Sequence, residues 1–154
     1  MSKFRATTIA IAVSAAGYSA ASLSNDLEEV VVTAQKRSQA ISEVPTSIQA
    51  INEYGLENSN ITQVRYLAEA TPKLTTASNF GQFATILSGR GLSASTGFDP
   101  VVASYVDDVP YAYAGQGWAP TSNLYDIDRV EILGGPQGKN WRQGSMAGTV
   151  RILK

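Results

Sequence analysis

The chain has 154 residues, 44% hydrophobic and 16% charged, with a formal net charge of -1. That suits one modest domain with a buried core, and the lack of a basic tract argues against a nucleic-acid partner. Cysteine and histidine are both absent, which removes disulfides, thiol chemistry, Cys/His zinc sites and histidine-based triads.

At the N-terminus, Lys3 and Arg5 precede an apolar run over residues 6–17, and Ser19-Ala20-Ala21 follows with small side chains. This three-part pattern predicts a secretory signal over residues 1–21. The apolar run is too short to cross a bilayer as a helix. Residues 22–44 read as a flexible polar leader with one interruption, Val30-Val31-Val32-Thr33. Four β-branched residues in a row favour an extended backbone. By themselves they fit an edge strand, a linker or a strand offered to a partner.

The domain proper is expected over residues 45–154, because Pro45 biases Val44 away from helix. Residues 47–51 alternate as a half-buried strand, and residues 53–57 read as a helical turn. Asn60 is a candidate cap for a helix carrying Ile61, Val64 and Leu67 at helical spacing, ending before Pro72. Residues 74–77, 85–87 and 101–106 read as strands. Residues 111–118 hold Tyr111, Tyr113 and Trp118 among glycines, the composition of a surface loop, and Asn123-Leu124-Tyr125 reads as a helical turn. Residues 129–133 alternate, Val130 and Ile132 against Arg129 and Glu131, and residues 149–153 repeat the design. Glycines 134, 135, 138, 144 and 148 lie in or beside the connection between them. The fold class is α+β: a small mixed β-sheet of four strands with short flanking helices and long loops.

Several segments in order resemble the plug domain of TonB-dependent outer-membrane receptors. Glu29, Val30, Val31, Val32, Thr33 and Ala34 resemble the TonB box, and Val44-Pro45-Thr46-Ser47-Ile48 resembles the first plug strand. Leu67-Ala68 through Thr71-Pro72, then Arg90-Gly91, then Tyr105-Val106-Asp107-Asp108-Val109-Pro110 follow the family pattern. So does the run from Asp126 through Leu133, and Gly135-Pro136-Gln137-Gly138 is intact as a structural loop. Departures include Lys73 and Asp108 where glycine is common, Gly134 where a base is usual, and Lys139-Asn140-Trp141-Arg142 in place of the usual segment.

The resemblance implies a role in gating and ligand binding during outer-membrane uptake of iron chelates or other nutrients, with no cofactor. The TonB periplasmic domain would capture residues 29–34 by strand addition. Arg90, Arg129 and Glu131 would face charges on the wall of an outer-membrane β-barrel, and Tyr111, Tyr113 and Trp118 would contact ligand. The family's barrels use about twenty-two strands of roughly nine to eleven residues each, and these 154 residues supply none of them. The alternative is therefore a barrel-less periplasmic TonB-binding module or a truncated remnant that transports nothing. The expected location is the periplasmic side of the outer membrane, or the periplasm without a barrel partner. Asp107, Asp108, Asp126 and Asp128 are candidate carboxylate pairs for acid–base or metal chemistry. Turn and cap roles explain all four, and the expectation is no enzyme and no metal.

Overall fold

The computed structural model describes residues 30–33, 35–79, 81–141 and 144–154. The expected signal, the leader residues 22–29, Ala34 and Arg142 lie outside the described residues.

The described residues form three sheets. A hairpin joins β1 (Val31–Val32) to β2 (Gln39–Ala40). After it come β3 (Ile48–Asn52) and α1 (Glu53–Asn58), then a 3-10 turn at Val64–Tyr66 that leads into α2 (Leu67–Ala70). β4 (Leu74–Asn79), β5 (Ala84–Gly89) and β8 (Ala119–Pro120) make a three-stranded antiparallel sheet. β6 (Val102–Val106), β7 (Val109–Pro110), β9 (Arg129–Gly134) and β10 (Gly148–Leu153) join β3 in a five-stranded sheet of order β3-β9-β10-β6-β7. Only the β10–β6 pairing is parallel. The mixed α+β class holds, with more strands than the four expected.

The alternation in β9 and β10 sets the layers. Val130, Ile132, Val150 and Ile152 point to one face and join Leu56, Ile61, Val64 and Leu67 in the main core. Each such side chain contributes about 1.5–3 kcal/mol when fully buried. The other face carries Glu131, Leu133, Thr149 and Arg151, and these are buried too.

α1 is closed at both ends by its own sequence. Asn52 caps the start, its side-chain oxygen accepting from the Gly55 amide at 2.9 Å. Asn60 does not begin the next helix, as its position before an apolar run suggested. It adopts φ +54 and ends α1. Its amide donates to Glu57 O at 3.0 Å and the Ile61 amide to Leu56 O at 2.9 Å, the paired bonds of a left-handed helix stop. Buried Leu56 and Ile61 then meet in the core. Asn123-Leu124-Tyr125 is likewise not a helical turn. Asn123 bridges to Gln63, and the Leu124 amide donates to Thr62 O at 2.9 Å.

The glycine-rich connection extends the β9–β10 hairpin into a compact loop. Gly135 N donates to Ala147 O and Gln137 N to Ser145 O, both at 2.9 Å. Gly148 has a specific reason to lack a side chain: a Cβ there would lie 2.5 Å from Leu133 O. The loop folds back so that Trp141 is buried under the sheet, 4.7 Å edge-on from Tyr105.

Candidate functional site

Residues 30–33 and 35–40 lie across the second face of the five-stranded sheet. Strand register places Ala50, Glu131, Arg151 and Tyr105 in one row across four strands. Glu131 and Arg151 are thus directly cross-strand, where opposite charges attract. Glu131 is 0% exposed and Arg151 3%, with Arg151 Nη1 donating to Glu131 Oε2 at 2.6 Å. A buried pair like this is favoured when further hydrogen bonds use its remaining donors and acceptors, and here several do, although Arg151 Nε has no hydrogen-bond partner among the described residues. Glu131 Oε1 also accepts from Arg129 Nε at 3.0 Å and from the Thr33 backbone amide at 2.9 Å. Arg151 donates to Thr33 Oγ1 at 3.1 Å and to Asp108 Oδ1 at 3.4 Å. Its guanidinium lies 4.6 Å from the Trp141 ring centroid, and Lys36 Nζ lies 5.1 Å from the same centroid.

The β-branched run is thereby tied down by both its side chains and its backbone. Val32 is buried to 1% exposure, while Val30 and Val31 are exposed. The Ile41 amide donates to Val30 O at 3.0 Å, closing the hairpin. The chain turns after Thr33, whose carbonyl accepts from the Lys36 amide at 2.9 Å, with Lys36 at φ +59. The described part of the expected leader is therefore a folded hairpin packed on the domain. Beside it, a cleft of about 380 Å³ opens between the hairpin and the β6–β7 turn, lined by Thr33, Lys36, Arg37, Asp107, Asp108 and Arg151.

The other candidate residues are dispersed. Arg129 pairs with Asp128 and Glu131 at the hairpin-covered face. Arg90 is exposed, at φ +54, with its guanidinium over Gly135, where a Cβ would sit 3.3 Å from Arg90 Nη1. Gly135 and Gln137 are buried and Pro136 and Gly138 exposed, as parts of the folded-back loop. Glu29 and Ala34 lie outside the described residues.

Tyr113 and Trp118 come together in the 111–118 loop, ring centroids 5.5 Å apart and edge-on. Tyr111 is separate, half-buried, with its amide donating to Ser104 O at 2.7 Å. The loop packs on residues 95–99: Gly115 N donates to Asp99 Oδ1 at 2.9 Å, and a Cβ at Gly117 would lie 2.5 Å from Ser95 O. Phe98 and Tyr113 are exposed on these two packed loops.

The carboxylates considered for catalysis have structural work. Asp107 accepts from the Lys154 amide at 3.1 Å, Asp108 pairs with Arg151, and Asp128 with Arg129. Asp107 and Asp126 occupy left-handed turn positions. Among the described residues no group of three or more acids is placed to hold a metal.

Sequence reasoning did not assign roles to Arg151, Trp141 and Lys36. Arg151 carried a signal, since it alternates with Val150 and Ile152 as Glu131 does with Val130 and Ile132. Trp141 and Lys36 carried none: Lys36 meets Trp141 from the far end of the chain, and Trp141 reaches Arg151 and Tyr105 only because the connecting loop folds back under the sheet.

Comparison with known proteins adds family context. The family profile described as TonB-dependent Receptor Plug Domain matches residues 40–149. The pesticin receptor of Yersinia pestis is 30% identical over 132 residues, covering 83% of this chain and 19% of the relative. The solved ferric yersiniabactin uptake receptor of Yersinia pestis superposes with a TM-score of 0.61 at 25% identity, over 71% of this chain and 17% of that one. The alcaligin outer membrane receptor of Bordetella pertussis shares the fold, with a TM-score of 0.59 at 19% identity, over 82% of this chain and 21% of that one. The chain thus spans only a minor part of the length of these relatives.

Proposed function

The chain belongs to the TonB-dependent receptor plug domain family, and from that membership we propose that it gates and binds ligand in outer-membrane uptake of iron chelates or other nutrients. The match over residues 40–149 carries this reading, and the receptors among its relatives support it. The partner on the periplasmic side is the TonB periplasmic domain, which captures residues 29–34. An extended segment adds to a partner's sheet edge through backbone hydrogen bonds, with alternate side chains giving specificity. Val30 and Val31 are exposed in the hairpin and available for first contact.

In this proposal the outer-membrane barrel encloses the domain, with Arg90 on a surface that meets the barrel wall. Glu131, expected to face that wall, is instead fully buried against Arg151, Arg129 and Thr33, so of these two charges only the partly exposed Arg129 is open to it. Of the three aromatic residues expected at the ligand, the adjacent Tyr113 and Trp118 contact it in this proposal, offering flat apolar rings with few rotamers to freeze. Pulling on the hairpin would uncover the charged face of the sheet, and elements with small buried contacts open first.

A peptide spanning residues 26–37, titrated with purified TonB periplasmic domain, tests the capture step. Saturable binding that is lost when Val31 and Val32 are replaced by proline is the expected outcome, since proline removes strand donors. An absence of binding removes the strand-capture reading.

A further inference from the structure

The hairpin leaves one edge of β1 unpaired, and its hydrogen-bonding groups are already partly occupied. In an antiparallel pair, successive residues point their backbone N–H and C=O alternately toward and away from the partner strand. Val30 O accepts from Ile41 N on the β2 side, so Val32 also faces β2, and Val31 and Thr33 face the open edge. On that edge the Thr33 amide donates to Glu131 Oε1 at 2.9 Å. The Thr33 carbonyl is taken by the Lys36 amide in the following turn, at 2.9 Å. Thr33 therefore has no free amide to donate to an incoming strand, its carbonyl is already engaged in the turn, and its hydroxyl is held by Arg151 at 3.1 Å.

We propose that the Glu131 carboxylate acts as a surrogate strand carbonyl that caps the free edge of β1 at Thr33, and so holds the capture segment closed to strand addition. Glu131 can serve because it is fixed from behind by Arg151 and Arg129. The cap and a partner strand compete for the same amide, so capture and docking of the hairpin are mutually exclusive at this residue. Arg151 reinforces the closed state through the Thr33 hydroxyl, and Trp141 supports it from below with Arg151 and Lys36 on its ring. This inference rests on the strand-capture reading given above.

Affinity of the full chain for purified TonB periplasmic domain tests it, with the 26–37 peptide as reference. Thr33→Val deletes the hydroxyl bond and keeps the shape and the buried ion pair, and the same change in the peptide measures its direct effect on capture, against which the full-chain variant is read. Glu131→Leu/Arg151→Leu replaces the whole buried pair by apolar side chains, an exchange that folded proteins tolerate, and removes the surrogate carbonyl. We expect Thr33→Val to bind about fivefold more tightly than the unaltered chain and the double variant about tenfold or more, as loss of one or more net hydrogen bonds of the closed state requires. The peptide, which has no cap, should bind at least as tightly as the double variant. If the peptide binds and both variants match the unaltered chain, the cap is overturned while strand capture survives. If the peptide does not bind, strand capture fails and the cap fails with it.

Discussion

At the scale of the residue, the account turns on Glu131. Its carboxylate is fully buried and answers three donors, on Arg151, Arg129 and Thr33. Removing one member of a buried pair leaves the other charge uncompensated, which costs about 3–5 kcal/mol. Glu131→Ala is therefore expected to lower unfolding free energy by about that amount in urea titration, far more than an exposed acid such as Glu57 changed the same way. A loss below about 1 kcal/mol would show that water reaches the pair. Alternation along 129–133 revealed which way Glu131 points, but not what lies over it. The amide that meets it is 98 residues away in sequence, and no local pattern announces a contact of that range. A gap of the same order hid the stacking of Lys36 on Trp141.

At the scale of the element, strands were more legible than helix ends. Period-two alternation is a property of the strand itself, so β3, β9 and β10 emerged within a residue or so of their observed bounds, and β6 did so from its β-branched and aromatic composition. Asn60 shows why helix ends were harder. A polar residue before an apolar run suits a helix start and a helix stop equally, because asparagine both caps and tolerates the left-handed conformation. The burial of Leu56 against Ile61 decides for the stop, and that is a tertiary fact. Asn60→Ala places a Cβ-bearing residue without that tolerance at φ +54, and should cost about 1–2 kcal/mol in a thermal or urea melt. Asn60→Gly should cost nothing or stabilise slightly, so equal losses in both variants would contradict the left-handed stop. The β1–β2 hairpin lies between these cases: its β-branched run was visible, but its docking depends on a face of the sheet built from the other end of the chain.

At the scale of the whole molecule, the five-stranded sheet separates two apolar clusters. One packs under α1 and α2, and the other surrounds Trp141, Tyr105 and Leu133 beneath the hairpin side. The described residues of the 30–40 hairpin thus lie on a charged and aromatic face that stays buried while the hairpin is in place, and under the proposed function this stores the capture segment. The motifs that pointed to the family are spread over nearly the whole domain, which made the fold class readable. The placement of the capture segment was not readable, because it follows from packing between the two ends of the domain. The absence of cysteine gives a direct test of the central claim, since any introduced cysteine is unique. Val31→Cys sits at an exposed position in β1, and Phe83→Cys at an exposed position outside it. Each, in the Glu131→Leu/Arg151→Leu background that removes the cap on Thr33, would be mixed with TonB periplasmic domain carrying one cysteine on its edge strand, and disulfide cross-links scored. The account predicts a cross-link at position 31 and none at 83. No cross-link at 31, or equal yields at both positions, would contradict capture through this strand.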